Sequence, residues 1–319
     1  MQLPPELTRG IDELTRGVAP AELGRACAEL TSEYRGERKR RPQLDRMHQC
    51  AYLVSRLPAT YAVLTRVFRE MKDRIPALRV NSMLDLGAGP GTAIWAAAAQ
   101  FPELEKIVLI EDVPEWVALG KQLAKYSEQD AVRSAEWQLG SVMQQVSSGT
   151  FDVVTISYVL NELRSADVIA FARAAWNRAG ALLLMIEPGT PAGFERIRKA
   201  RRELIAEGGR IVAPCPHERE CPMMADDWCH FAQRLERSSE HRHTKSAMLG
   251  YEDEKYSYIA LAREPVPLPT ARILRHPRQH PGHIELELCT PQGLKRETTS
   301  KKQGSKYKEA RRAGWGDAL

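Results

Sequence analysis

Nothing in the sequence approaches the roughly 20 consecutive apolar residues that a membrane-spanning helix needs. The N-terminus, MQLPPELTRGIDELTRG, lacks the basic start and apolar stretch of a secretory signal, and its early acids argue against a transit peptide. The expectation is a soluble, intracellular protein with no membrane partner. No internal repeat is visible. Cysteine is sparse, six in 319 residues, yet Cys215, Cys221 and Cys229 fall within fifteen positions. In a reducing compartment such a concentration is more often a metal site or a catalyst than a set of disulfides.

What is present is enough apolar material for one large domain or two smaller ones, with 43% hydrophobic residues. The net charge of +5 is unevenly spread: from Thr270 to Leu319 eleven Lys/Arg stand against five Asp/Glu. A second patch, Arg35 to Arg46, has six basic and two acidic residues. Basic patches of this kind attract phosphate backbones, although each is also consistent with a solvated face or tail.

Residues 1–76 read as helices: AELGRACAELTSEY, a run from Leu44 to Leu57, and TYAVLTRVFREMKDRI after Pro58. From residue 77 to 264 strands and helices alternate, which predicts a doubly wound, mostly parallel α/β sheet. DWCHFAQRLER and KYSYIALARE read as its last two strands, following a cysteine insert at 213–231. In 265–319, ARILRHP and HIELELCTP, separated by RQHPG, predict a β-hairpin ahead of a basic tail starting at KRETTS.

LDLGAGPGT, Leu84 to Thr92, joins a strand to a helix where open α/β sheets bind their cofactors. Glycines here let the backbone turn sharply and approach a ligand. Glu111 ends the next strand, about twenty residues on, where an acid accepts hydrogen bonds from a ribose. A nicotinamide site would show G-x-G-x-x-G, whereas Gly87, Gly89 and Gly91 give G-x-G-x-G after Asp85-Leu86. That form resembles the first motif of class I S-adenosylmethionine-dependent methyltransferases, and EDVPEW resembles their second. The fold class implied is a Rossmann-like α/β sheet binding S-adenosylmethionine through Asp85, Gly87, Ala88, Gly89 and Glu111, with Asp112 able to substitute. The N/D-P-P-Y/F motif of amino-methylating nucleic-acid enzymes is missing; SYVLNEL stands in its place. No catalytic residue is assigned, and Asn161 and Glu162 read chiefly as polar residues opening a helix.

Three thiolates need a fourth ligand to complete a tetrahedral site. Cys289 is the best candidate, because Cys27 and Cys50 sit in the apolar periodicity of the N-terminal helices. The spacing is neither the C-x2-C of zinc ribbons nor the C-x3-C-x2-C of radical S-adenosylmethionine enzymes. Wide, irregular spacing suits an iron–sulfur cluster. Zinc held by three cysteines and His217 or His230 is the alternative.

LDLGAGPGT, YVLNEL, EPGTPAGFERIRKAR, PCPHERECP, DWCHF, YEDEKYSYIAL and the ending CTPQGL…KYKEARRAGWGD together resemble the methyltransferase-like proteins of mitochondrial small-ribosomal-subunit assembly. This is the methyltransferase-like protein seventeen group, with bacterial relatives. The resemblance covers about residues 40–319. It implies a [4Fe-4S] cluster on Cys215, Cys221, Cys229 and Cys289 and binding to small-subunit rRNA beside ribosomal proteins; a monomer is the default expectation. It also implies the cytoplasm for a bacterial-type chain and the mitochondrial matrix for a eukaryotic one. Candidate RNA contacts are Arg38, Lys39, Arg40, Arg41, Arg198, Arg201, Lys301, Lys302, Lys306, Arg311 and Arg312. A cluster tying the insert to Cys289 would fasten the C-terminal hairpin to the sheet. Two other activities stay open, an active rRNA methyltransferase and a small-molecule methyltransferase with a metal-sensing site.

Overall fold

The structure is a computed structural model that describes residues 2–34, 45–143, 149–224, 226–236 and 251–319. The chain forms two compact units: Met1–Arg69, Arg79–Gln145 and Gln233–Glu254 in the first, and Glu70–Leu78, Val146–Ala232 and Lys255–Leu319 in the second.

The first unit opens with helices α1 (Pro5–Thr15), α2 (Pro20–Tyr34), α3 (Arg46–Ala51) and most of α4 (Leu57–Arg74). Between α3 and α4 lies a π-helical turn, Tyr52–Arg56, so the helical path continues where the sequence suggested a break at Pro58. The proline ring has no N–H and crowds the carbonyl four residues back, and a widened turn on its N-terminal side relieves both problems. Cys27 and Cys50 are buried with Leu23, Ala26, Leu30 and Ala51, as small hydrophobes rather than ligands. Three parallel strands follow, β1 (Ser82–Leu86), β2 (Lys106–Glu111) and β3 (Glu136–Leu139), interleaved with α5 (Thr92–Gln100), α6 (Pro114–Ala124) and α7 (Asp130–Arg133). β2 lies between β1 and β3, in register Leu84↔Val108 and Val108↔Glu136.

In the second unit β4 (Phe151–Ser157) runs parallel to β5 (Ala179–Pro188), with Thr155 opposite Leu184. α8 (Val168–Trp176) and α9 (Pro191–Ala206) belong to the same unit, followed by β6 (Arg210–Ala213). β7 (Phe231–Glu236) starts here. β8 (Tyr251–Ala262) reverses direction and pairs antiparallel with β5 (Met185↔Ile259) and with β6 (Ile211↔Leu261). β5, and β8 from Tyr256 to Ala262, are almost wholly buried, which is why they read as mostly apolar runs; the first half of β8 is charged.

The C-terminal residues form a second sheet. β9 (Arg272–Ile273) and β10 (Arg278–His280) both pair with β11 (His283–Thr290), and β12 (Gly293–Ser300) pairs with β11 along its whole length. HIELELCTP forms one arm as expected, but the arm across the Pro281-Gly282 turn is Arg278–His280, from within the expected loop, and of ARILRHP only Arg272–Ile273 is a strand. KRETTS, expected to open a basic tail, is the body of β12, and α10 (Ser305–Arg312) follows it. The charged residues of this strand escaped the alternation test because it is an edge strand whose side chains are mostly solvated.

Arg272 ties this sheet into its unit. It is 1% exposed. Its Nε donates to the Pro214 carbonyl at 2.7 Å, Nη1 to the Gly316 carbonyl at 2.7 Å, and Nη2 to the Glu70 carboxylate. Tyr258 Oη donates to the other oxygen of Glu70 at 2.7 Å. Replacing Arg272 with Leu would leave the Glu70 carboxylate buried without its cation, and removing one partner of a buried pair typically costs about 3–5 kcal/mol. The expected result is a shift of that size in denaturant unfolding of Arg272→Leu. A shift under about 1 kcal/mol, the scale of a surface pair, would show that the guanidinium does not hold the unit together.

Candidate cofactor and metal sites

The β1–α5 turn is built as the sequence suggested. Gly87, Gly89 and Gly91 have φ of 72°, 54° and 79°. A Cβ on Gly89 would meet nothing within 4 Å, so the space over the loop is open, as a bound cofactor requires. The loop is braced from below: the Trp137 ring of β3 packs against Gly91 and Gly120, and a Cβ at Gly120 would come within 2.1 Å of it. Asp85 is fully buried on β1 beneath the loop. Glu111 Oε2 accepts the Gly89 N–H at 2.7 Å and Oε1 the Val113 N–H at 3.0 Å. Its neighbour Asp112 is exposed. Of the two acids, Glu111 therefore faces the loop. Burial pushes its carboxyl up to about 7, against the pull of the two N–H donors. The residues present fit S-adenosylmethionine: an open glycine cradle with a carboxylate at its edge, able to turn toward hydroxyls.

Sequence reasoning passed over Glu187 at the end of β5. It is 0% exposed, and its carboxylate accepts the Leu160 N–H at 2.7 Å and the Asn161 N–H at 3.2 Å. The two bonds hold the short helical turn Leu160–Glu162 that follows β4. Just before it, Tyr158 has φ 62°, a left-handed conformation unfavourable for a bulky side chain. The signal for Glu187 was available: LLLMIEP places an acid at the carboxyl end of an apolar strand.

The four predicted cysteines line a single cavity in the second unit, with Phe194, Ile197, Met223 and Leu274 as apolar walls. α9 starts from a cap in which Thr190 Oγ1 accepts the Gly193 N–H at 3.1 Å. Its buried stripe runs Phe194, Ile197, Arg201, Leu204, at three- and four-residue spacing. Arg201 thus points inward. It is 4% exposed and donates to the His217 and Arg219 carbonyls at 2.8 and 2.7 Å. Its assignment as an RNA contact is corrected: a guanidinium on the buried stripe cannot reach a phosphate, and it instead shapes the loop carrying Cys215 and Cys221. Cys289 lies opposite Arg272 in the β9–β11 ladder. Its Sγ is 3.6 Å from His217 Nε2.

His230 does not line the cavity. Its ring stacks on Trp228 (5.1 Å) and meets the edge of Trp315 (5.0 Å), and Trp315 Nε1 donates to the His230 carbonyl at 3.0 Å. This sets aside the zinc site that used His230, while His217 stays in place as a neighbour. Together with the Arg272–Gly316 bond, the Trp315 contact shows that protein groups alone already fasten the C-terminus to the insert.

Burial raises the thiols of Cys221 and Cys229 and pushes that of Cys289 up to about 12, with neighbouring cysteines adding to the effect. Thiols so placed are poor nucleophiles, and a bound metal centre would supply the charge that holds them as thiolates. A tetrahedral zinc with Zn–S near 2.3 Å sets its sulfurs only about 3.8 Å apart. Among the described residues, the group of three or more metal-ligating side-chain atoms all within 4.8 Å of one another is His280, His283 and Glu285, and no three of the cavity thiols meet that spacing.

Of the remaining candidate RNA contacts, Arg38, Lys39, Arg40 and Arg41 lie outside the described residues. Arg198 pairs with Glu195 and Lys306 with Glu297, each at 2.6 Å. Lys301, Lys302, Arg311 and Arg312 are exposed.

The parallel β3–β2–β1 run with its glycine turn, and the β4–β5 run joined by antiparallel β8, make this a class I S-adenosylmethionine methyltransferase fold. A family model described as "Mitochondrial small ribosomal subunit Rsm22" matches residues 46–319, and the chain belongs to that family. The human "Ribosome assembly protein METTL17, mitochondrial" is 29% identical over 290 residues, 84% of this chain and 61% of that protein. The "Rsm22-cox11 tandem protein 2, mitochondrial" of Schizosaccharomyces pombe is 25% identical over 326 residues, 84% of this chain and 42% of that one. The chain therefore spans less than two thirds of the length of either relative. Among solved structures, the N-methyltransferase NodS from Bradyrhizobium japonicum is 13% identical with a TM-score of 0.42, covering 64% of this chain and 96% of its own. Magnesium protoporphyrin IX methyltransferase from Synechocystis, also 13% identical, has a TM-score of 0.42 over 81% of this chain and 100% of its own. At that similarity neither bears on what this chain does. No helix among the described residues is long and apolar enough to cross a membrane.

The Glu187 carboxyl is pushed up to about 8 by burial, from an ordinary value of 4.5. A raised acid stabilises the fold fully below its unfolded value, and that contribution is lost as pH climbs through the folded value. Between about pH 4.5 and about pH 8, the wild type should therefore lose stability relative to Glu187→Gln. Denaturant midpoints of the two proteins that stay parallel across that window would overturn this.

Proposed function

We propose that the chain is a small-ribosomal-subunit assembly factor that binds S-adenosylmethionine in the β1–α5 loop, carries a [4Fe-4S] cluster in the cysteine cavity, and docks on rRNA. The observation that carries the reading is the convergence of Cys215, Cys221, Cys229 and Cys289, from an insert and a distant strand, on one cavity. Membership of the Rsm22 family and the assembly role in the name of the human relative support the ribosomal part.

In this reading Gly87, Ala88 and Gly89 let the cofactor approach the backbone, Asp85 supports the turn from beneath, and Glu111 meets the ribose. S-adenosylmethionine supplies an electrophilic methyl group wherever a nucleophile is brought to it. The four cysteines hold the cluster between β11 and the insert, with Arg201 and Arg272 adding positive charge to the wall. The exposed Lys301, Lys302, Arg311 and Arg312 face rRNA phosphates, with Arg198 and Lys306 able to leave their glutamates for the same purpose. The partners are small-subunit rRNA and adjacent ribosomal proteins, and the protein acts as a monomer. It works in the cytoplasm of a bacterial source or in the matrix of a mitochondrion.

Anaerobic purification with iron, sulfide and zinc analysis tests the metal assignment. The expected content is about four irons and four sulfides per chain, falling sharply in Cys229→Ser and Cys289→Ser. One zinc without sulfide would sink the cluster. Binding to immature small subunits is expected to weaken steeply with salt and in a Lys301/Lys302/Arg311/Arg312 charge-removal variant, because phosphate contacts release counterions. Salt-insensitive binding would reject the rRNA reading in favour of a small-molecule methyltransferase. Label transferred from S-adenosylmethionine to rRNA would make the protein an active rRNA methyltransferase.

A further inference from the structure

The turn between β10 and β11 gathers three ligating side chains that neither the cofactor loop nor the cysteine cavity uses. His280 and His283 are opposite each other as the closing pair of this hairpin, and Arg278 lies opposite Glu285 two steps further in. Because side chains two apart on a strand share a face, His280, His283 and Glu285 all project from the same side. The two imidazoles stack, with centroids 4.6 Å apart and planes 10° from parallel. Their Nε2 atoms lie 3.7 and 3.8 Å from the same oxygen, Glu285 Oε1.

A bland explanation is available, since exposed histidine–glutamate pairs are common and contribute little. Two details favour a different one. The stack brings both Nε2 atoms to one carboxylate oxygen, so a single ion placed between them would meet all three ligands. In addition, Glu287 draws off the neighbouring cations: Arg278 and Arg296 lie 3.5 and 3.6 Å from its Oε1. That leaves Glu285 facing the histidines.

We propose that His280, His283 and Glu285 form a surface site for a late first-row divalent cation of the zinc type. Two imidazole nitrogens and one carboxylate oxygen select that class over magnesium or calcium, which take oxygen ligands. The three side chains are 39–43% exposed, so water or an exogenous ligand completes the coordination. A bound ion bridges the two arms of the hairpin at its turn, and so secures the edge of the C-terminal sheet. The site stands on its own whether or not the ribosomal reading holds.

Cobalt(II) titration of the full chain, followed by calorimetry and visible absorption, tests this site, because sulfur and imidazole ligation differ in their spectra. Wild type should bind one equivalent without thiolate-to-cobalt charge transfer, and the double variant His280→Ala/His283→Ala should lose that equivalent while keeping any thiolate band. Glu285→Gln, which preserves the strand, should weaken it by at least about tenfold, the scale on which even supporting residues of a metal site act. Zinc should raise the melting temperature of the wild type more than that of either variant. Equal cobalt stoichiometry and affinity in wild type and variants, or a lost equivalent that carries the thiolate band, would overturn the proposal.

Discussion

A single guanidinium with almost no access to water organises the second unit. Arg272 reaches three segments distant in sequence: α4 through Glu70, the start of the cysteine loop through the Pro214 carbonyl, and the C-terminus through the Gly316 carbonyl. A buried charge tolerates this position only when nearly all its donors are met, and a guanidinium offers a planar fork that matches several acceptors at once. Moving any of the three partners would strand a charge in a poorly polar environment. The geometry around Cys215 and Cys289 is therefore fixed before any metal is considered.

The same accounting separates what could be read from the sequence from what could not. The glycine turn and Glu111 were legible because their spacing follows from strand and helix length. The four cysteines were legible because so few others exist and Cys27 and Cys50 follow an apolar helical period. Arg201 was misread by counting charge on FERIRKARREL without asking which face each residue occupies. The positions of Phe194, Ile197 and Leu204 already place it on the buried stripe. The Arg272–Glu70 pair could not be read at all, because its members are 202 positions apart and each looks like an ordinary charged residue locally. β12 was missed for a related reason: an edge strand paired on one side needs little apolar alternation.

Two carboxyls, at the ends of β2 and β5, face similar electrostatics with different consequences. Burial raises both, and in both two backbone N–H groups oppose the rise. Glu111 belongs to a loop with open space above it, so its hydrogen bonds can be exchanged for those of a ligand. Glu187 is wholly enclosed, and its bonds hold the turn after β4 in a shape that includes the left-handed Tyr158. One acid is available for recognition and the other maintains backbone geometry, although both stand at the carboxyl end of a strand.

Position likewise decides what each basic residue can do. A cation serves phosphate binding only if it stays hydrated and accessible, and it serves an anionic metal centre only if it is withdrawn from water, where its field is less screened. Arg201 and Arg272 are withdrawn from water: both line the cysteine cavity and both donate to carbonyl oxygens. Glu70 balances the charge of Arg272, and the His217 and Arg219 carbonyls accept from Arg201. Lys301, Lys302, Arg311 and Arg312 remain exposed to water. A net charge read from composition adds the two together, yet only the exposed set can contribute to a salt-dependent association.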